Sequence, residues 1–237
     1  CSGHEIGAPY NIAPPKGSFL AAVQREARPL RIALSRKPLV NTVVDAEVLA
    51  ALDATAQALE KMGHVVEEAE PQIDVNQFWR DFFVVVCAEV ASMVDRYRRE
   101  YGAACVAKFE PATKNMAMLG RSFSGADVIT AKRGWHDVQL AMGRLLADFD
   151  VMLCPTVPTP AEPHGVLLNS RVEELLMLAS HRVTMGKLLF HTCLVEQMAG
   201  PILGKMAFTI MVNVSGLPGI SVPFPNSHIR LPVGKPV

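Results

Sequence analysis

Apolar residues recur along this chain in two rhythms, and each rhythm marks a different kind of element. Short apolar runs closed by turn residues predict strands over residues 30–34, 64–68, 150–154 and 219–224. Stretches with apolar residues three and four positions apart predict helices. The first long helix follows Asp45, a good N-cap, and puts Val48, Leu49, Leu52, Ala56, Leu59 and Met62 on one face before Gly63 stops it. A second opens at Asp74 and runs to about Glu100, with Phe78, Phe82, Val86, Val90, Met93 and Tyr97 as its stripe. A third covers 126–149, with Val128, Ala131, Trp135, Val138, Met142, Leu145 and Phe149 facing inward. Shorter helices are predicted over 18–24 and 205–212, and an amphipathic one over 173–198, interrupted by Gly186.

Strand, helix and strand joined by short loops over 30–68 form a βαβ unit, which requires a parallel pair of strands. The predicted fold is therefore α/β, a mixed sheet flanked by helices. Residues 1–29, punctuated by Pro9, Pro14, Pro15, Gly17 and Pro29, read as an irregular lead-in, and 30–237 as one domain. At 237 residues, half of them hydrophobic, the chain is long enough to bury one sizeable core. It shows no internal repeat and no low-complexity tract.

The charge balance narrows the partners. Basic and acidic residues number 23 each and are scattered, so there is no basic face for nucleic acid. Arg96, Arg98 and Arg99 cluster at the end of a predicted helix, where cations favour the helix dipole. Five cysteines (Cys1, Cys87, Cys105, Cys154 and Cys193) form no C-x-x-C pair, which fits free thiols in a reducing cytoplasm. No apolar run approaches the length of a membrane span. The first residues, Cys1 to Glu5, carry no apolar stretch of a secretory leader, and both ends read as cut or processed.

Several residues invite a chemical role and have a plainer explanation. Cys1 could act as an N-terminal nucleophile using its own amine, but Ser2, Gly3 and His4 provide no strand to mount it, and a truncated end accounts for it better. Residues 199–206 nearly spell a phosphate loop, yet Met206 stands where a magnesium-binding hydroxyl is required. His181, His191 and Cys193 match no zinc spacing. Neither Ser215 nor Ser221 lies in a nucleophile elbow, since Pro223 follows where a glycine belongs, so both read as structural. Glu67, Glu68 and Glu70 read as a solvated strand end rather than a facing carboxylate pair.

Three blocks, in order, resemble the amidase-signature family. The first is the βαβ unit over 30–68. The second is 148–156, a strand ending in Cys154-Pro155-Thr156 and followed by Pro158 and Pro160. The third is 208–223, where a helix and Asn213 lead into Ser215-Gly216, Pro218-Gly219 and the strand bearing Ser221 and Pro223. The third is the most specific. The likeness spans roughly 10–225, while 160–205 match poorly and read as a branch-specific insertion. The blocks are also similar to the branch that includes 6-aminohexanoate cyclic dimer hydrolase.

The resemblance implies hydrolysis of carboxylic amide C–N bonds by a serine nucleophile, a second serine on a cis peptide and a lysine base, with no metal or organic cofactor. A neutral lysine can take the serine proton once burial lowers its pKa. In the family these parts lie N-terminal to the matched region, in a Gly/Ser-rich segment that has no counterpart here, so no catalytic residue is carried over. Lys16, Lys37 and Lys61 are not promoted to fill the gap. The family would also continue after Gly234 into another sheet strand, from which Lys235, Pro236 and Val237 depart.

Ligands of α/β folds bind at the carboxyl ends of strands. Cys154, Thr156 and Val157 are therefore substrate-pocket candidates, with Phe208 and Asn213 behind them. Turn formation by Pro155 and Thr156, and helix capping by Asn213, explain the same residues equally well. The expected partner is a small amide substrate of the full-length form, together with a homodimer mate or a complementing N-terminal segment. Three readings stand: the C-terminal part of an amidase, inactive alone; a non-catalytic interaction module of an amidase-like assembly; and a Cys1 amidohydrolase.

Overall fold

A computed structural model describes residues 6–7, 17–39, 42–161, 203–223 and 234–236. The βαβ unit is present. Strand β1 (Arg31–Leu34) leads through α2 (Ala46–Lys61) to β2 (Val65–Glu68). The two strands pair in parallel, with Leu34 level with Glu68. The helix starts where its cap dictates, because the Asp45 side chain accepts the Glu47 N–H at 2.8 Å. It ends at Gly63, whose φ of 89° suits a residue without a side chain. Met62, expected on the apolar stripe, is the C-cap and is exposed.

A short helix, α1 (Phe19–Val23), capped by Ser18, precedes the unit and buries none of its residues. Two long helices follow it. Helix α3 (Val75–Tyr101) is capped by Asp74. Helix α6 (Gly125–Asp148) begins with a reciprocal capping box between Ser124 and Asp127. Between them lie α4 (Ala103–Ala107) and α5 (Pro111–Ser122), a region the periodicity left unassigned. Gly102, at φ 80°, breaks α3, and Pro111 starts α5 in its first turn.

These insertions correct the predicted face of α3. Its buried residues are Phe78, Asp81, Val84, Val85, Cys87, Ala91 and Val94, whereas Met93 is exposed. A single stripe serves a helix packed on one side. Here Val84 and Val85 meet Ala131 of α6, while Ala91 and Val94 meet Ala117 of α5. The buried surface is accordingly broader than one stripe and rotated from it.

Strand β3 (Val151–Leu153) adds to the other side of β1, again in parallel, for an order β2-β1-β3. Side chains alternate across this sheet. Ile32, Leu34 and Leu153 pack on Leu52 and Ala56 of α2. On the opposite face, Met152 and Cys154 meet Phe208, and a second core joins Phe78, Val138 and Met142 to α7 (Ile210–Ser215). Helix, sheet and helices thus form layers, as expected of an α/β fold. Helix α7 starts later than the periodicity over 205–212 suggested, because residues 206–209 form turns.

Strand β4 (Ser221–Pro223) pairs antiparallel with β5 (Gly234–Pro236). Lys235 and Pro236, read as departing from the family's next sheet strand, lie in this short β5, with Lys235 opposite Val222. Parallel and antiparallel pairing both occur, in two separate sheets among the described residues. The helix predicted over 173–198 lies outside the described residues.

Candidate functional site

Parallel pairing brings the carboxyl ends of β1, β2 and β3 to one edge of the sheet. The loops leaving that edge are tied together by one carboxylate. Glu70, two residues beyond β2, accepts the Ser35 hydroxyl at 2.5 Å through Oε2. Its Oε1 accepts the backbone N–H groups of Arg36 and Lys37 at 2.9 and 3.0 Å. Ser35 is fully buried and donates its own N–H to the Leu153 carbonyl at 2.9 Å. Three donors converging on one charge hold the β1 exit loop rigidly against the sheet. Outside this knot, Arg36 reaches Glu68 at 2.8 Å and pairs with Asp53 of α2.

The exit of β3 is the most enclosed part of the edge. Cys154 is 2% exposed and Phe208 is fully buried; the two pack together with Ala207, Val44 and Met152. Burial pushes the Cys154 thiol up to about 12, and the charge of Glu70 adds to the rise. The group is therefore an uncharged buried thiol at neutral pH rather than a thiolate nucleophile. The loop beyond it is pinned at several points. The Pro158 carbonyl accepts the Asp45 N–H at 2.8 Å, and Lys205 Nζ donates to Thr159 Oγ1. Across the entrance, Leu39 N–H donates to the Ala207 carbonyl at 3.0 Å, and Trp79 Nε1 donates to the Leu39 carbonyl at 2.7 Å.

The five pocket candidates occupy three kinds of place. Cys154 and Phe208 belong to the buried cluster just described. Thr156 is half-buried, with its hydroxyl 3.3 Å from that of Ser221 on β4, and Val157 beside it is half-buried too. Asn213 lies apart: it is inside α7 with an exposed side chain, and its carbonyl accepts the Gly216 N–H at 3.4 Å. The cap position of that helix is Thr209, so Asn213 does not fill the capping role considered for it. The fold thus joins Cys154 to Phe208 and Thr156 to Ser221.

Both serines of the third sequence block are held by structural bonds. Ser215 donates to the Val212 carbonyl at 3.1 Å, and Ser221 meets Thr156. Glu70 organises this edge, and sequence reading missed it. It was expected on a solvated strand end, yet it is half-buried and carries three hydrogen bonds. The only signal for it is the β1–β2 register, which places position 70 level with the β1 exit. Among the described residues no group of three His, Cys, Asp or Glu side chains is placed to hold a metal, and no helix is long and apolar enough to cross a membrane. Cys1, His181, His191, Cys193 and residues 199–202 lie outside the described residues.

Comparison with known proteins supplies what the geometry alone lacks. The family model described as Amidase matches residues 1–237. The 6-aminohexanoate-cyclic-dimer hydrolase of Pseudomonas sp. (strain NK87) is 25% identical over 98% of this chain and 45% of that protein. A glutamyl-tRNA(Gln) amidotransferase subunit of Agathobacter rectalis is 27% identical over 91% of this chain and 41% of that protein. A solved structure of 6-aminohexanoate cyclic dimer hydrolase superimposes with a TM-score of 0.76 at 21% identity, covering 99% of this chain and 46% of that one. The chain spans about half the length of the curated relatives it matches.

Proposed function

The chain belongs to the amidase family, and from that premise we propose that it is the C-terminal portion of an amidase-signature serine hydrolase cleaving carboxylic amide C–N bonds. The family match along all 237 residues carries this reading. In it, the nucleophilic serine, the cis-peptide serine and the lysine base come from a segment outside these residues, and this chain provides part of the substrate pocket. Thr156 and Val157, half-buried at the β3 exit, line that pocket, and Cys154 with Phe208 forms the rigid floor beneath them. Asn213 is the most distant contributor. The substrate is a small amide, and no metal or organic cofactor takes part.

The chemistry explains this division of labour. A serine amidase needs its nucleophile, base and oxyanion donors fixed to a fraction of an ångström, and the rest of the domain serves as mould for the acyl or amine part. A floor made of an un-ionised thiol and a phenyl ring suits an uncharged aliphatic or aromatic group.

The test is expression of the chain alone and joined to the upstream reading frame. Each product is assayed by mass spectrometry against linear and cyclic aliphatic amides and anilides. We expect hydrolysis only when the upstream segment brings a lysine-bearing strand and a Gly/Ser-rich segment. Amide turnover by the purified 237-residue chain would overturn the assignment.

A second reading, an interaction module that pairs with a separately encoded chain, draws support from the relative named as part of an amidotransferase. Exposed Phe19, Leu20 and Val23 on α1 offer apolar surface for such pairing or for a homodimer. A stop codon and separate start immediately before Cys1 would favour it over the first reading.

A further inference from the structure

One charged side chain sits deep in a helix contact, and no cation among the described residues that line its groove balances it. Asp81 of α3 is 6% exposed. Its Oδ1 accepts Gln77 Nε2 at 3.0 Å. Its Oδ2 faces Gly134 of α6 so closely that a Cβ added there would lie 1.8 Å away. A glycine at this point is what allows the carboxyl group to enter the α3–α6 contact at all. The groove in which it lies also holds Asp74 and Gln72 from the loop before α3 and Asp137 from α6. Every charged group lining it is a carboxylate.

We propose that the Asp81 carboxyl group is a proton-controlled latch on the α3–α6 contact. Protonated, it seats against Gly134; ionised, it draws water into the groove and loosens the two helices. The physical basis is the cost of an ionised carboxylate in a closely packed helix contact where Gln77 is its hydrogen-bond donor. Desolvation raises its pKa, the Gln77 bond lowers it and the charge of Asp137 raises it further. Asp74 spends its carboxylate on the Gln77 N–H, at 3.1 Å, as the cap of α3. The consequence reaches α7, because Phe78 and Val138, which line the same groove, share a core cluster with Ile210, Met211 and Val214.

The sign follows from linkage. A carboxyl whose pKa is higher in the closed state than in the open one favours closure at low pH. That advantage is lost as pH rises through the closed-state value, by up to ~10-fold per pH unit across the window between the two.

Hydrogen exchange of the full chain, read by mass spectrometry from below the ordinary carboxylate pKa of about 3.9 up to neutral pH and corrected for intrinsic rates, tests this. Protection of α3, α6 and α7 should fall with rising pH while α2 and β1 serve as reference. Asp81→Asn, which keeps the Gln77 bond without the charge, should abolish the dependence and leave the helices protected throughout. Asp137→Asn, on an exposed position, should keep the dependence but move it to lower pH, since the charge that raises Asp81 is gone. Protection that is flat with pH in the natural sequence, or unchanged pH dependence in either variant, overturns the latch. Should Asp81→Asn not fold, the direction of the Asp137→Asn shift decides alone.

Discussion

Gly120→Ala should destabilise this protein although alanine is the better helix former. Gly120 lies in α5 where that helix crosses α3, and the two backbones touch at this point. A Cβ built on Gly120 falls 1.9 Å from the Cys87 carbonyl oxygen, 2.4 Å from its carbon and 2.9 Å from the Ala88 nitrogen. The obstacle is main chain, so no rotamer change relieves it; the helices must part by more than about 1 Å to restore contact distances near ~3.5 Å. That separation strains the Ala91, Val94 and Ala117 packing beside it. Overpacking of this kind costs about 1–3 kcal/mol, against about 1 kcal/mol gained in helix propensity. The control is Gly143→Ala in α6, where a Cβ meets nothing within 4 Å. There only the propensity gain operates, so that variant should be more stable by up to about 1 kcal/mol. Urea denaturation followed by circular dichroism measures both, and melting temperatures should differ by several degrees, at ~2–4 °C per kcal/mol for a chain this size. If the two variants shift stability equally and in the same direction, the α3–α5 approach is not as close as described.

Two further outcomes follow from the ionisable groups. Cys154 and Cys87, whose thiols burial holds up at about 12, should resist iodoacetamide in the native protein, while half-buried Cys105 reacts before either of them; peptide mass spectrometry that finds Cys154 labelled as fast as Cys105 contradicts the sealed packing around Cys154. Asp150 receives Arg28 and the Arg31 N–H, which hold its carboxyl below the usual range, so its pairing supports the fold above the ordinary carboxylate pKa and is lost as pH falls through the lowered value. Asp150→Asn should therefore be the less stable at neutral pH, and its gap from the natural protein should close on acidification; a gap constant with pH refutes the pairing.

How far the sequence was legible can be judged residue by residue. The starts at Asp45 and Asp74 and the stop at Gly63 were readable, since capping depends on one side chain and the backbone within three residues of it, whereas Ser18, placed inside its helix by the sequence, proved to be the cap. The βαβ unit was readable for a similar reason: a strand, helix and strand with short links have one common arrangement. The family followed from short blocks whose prolines and glycines fix local backbone shape. Helices α4 and α5 were left unassigned: α4 is short and buries none of its residues, and α5 buries Ala117, Leu119 and Gly120, two of which carry little or no side chain to mark a stripe.

By itself, then, the sequence determined what is local: where α2 and α3 begin, that β1 and β2 pair in parallel, and the family to which the chain belongs. Tertiary structure alone decided what depends on register and approach. The β1–β2 register carries Glu70 to the Ser35 loop, although the two lie 35 positions apart. The close crossing of α3 and α6 turns Asp81, which sequence would leave on a polar face, into a buried carboxylate against Gly134. The seating of 207–208 on β3 makes Cys154 and Phe208 one buried cluster. Such contacts arise between segments far apart in the chain, and the free energy of burying and bonding them exists only once the layers have closed.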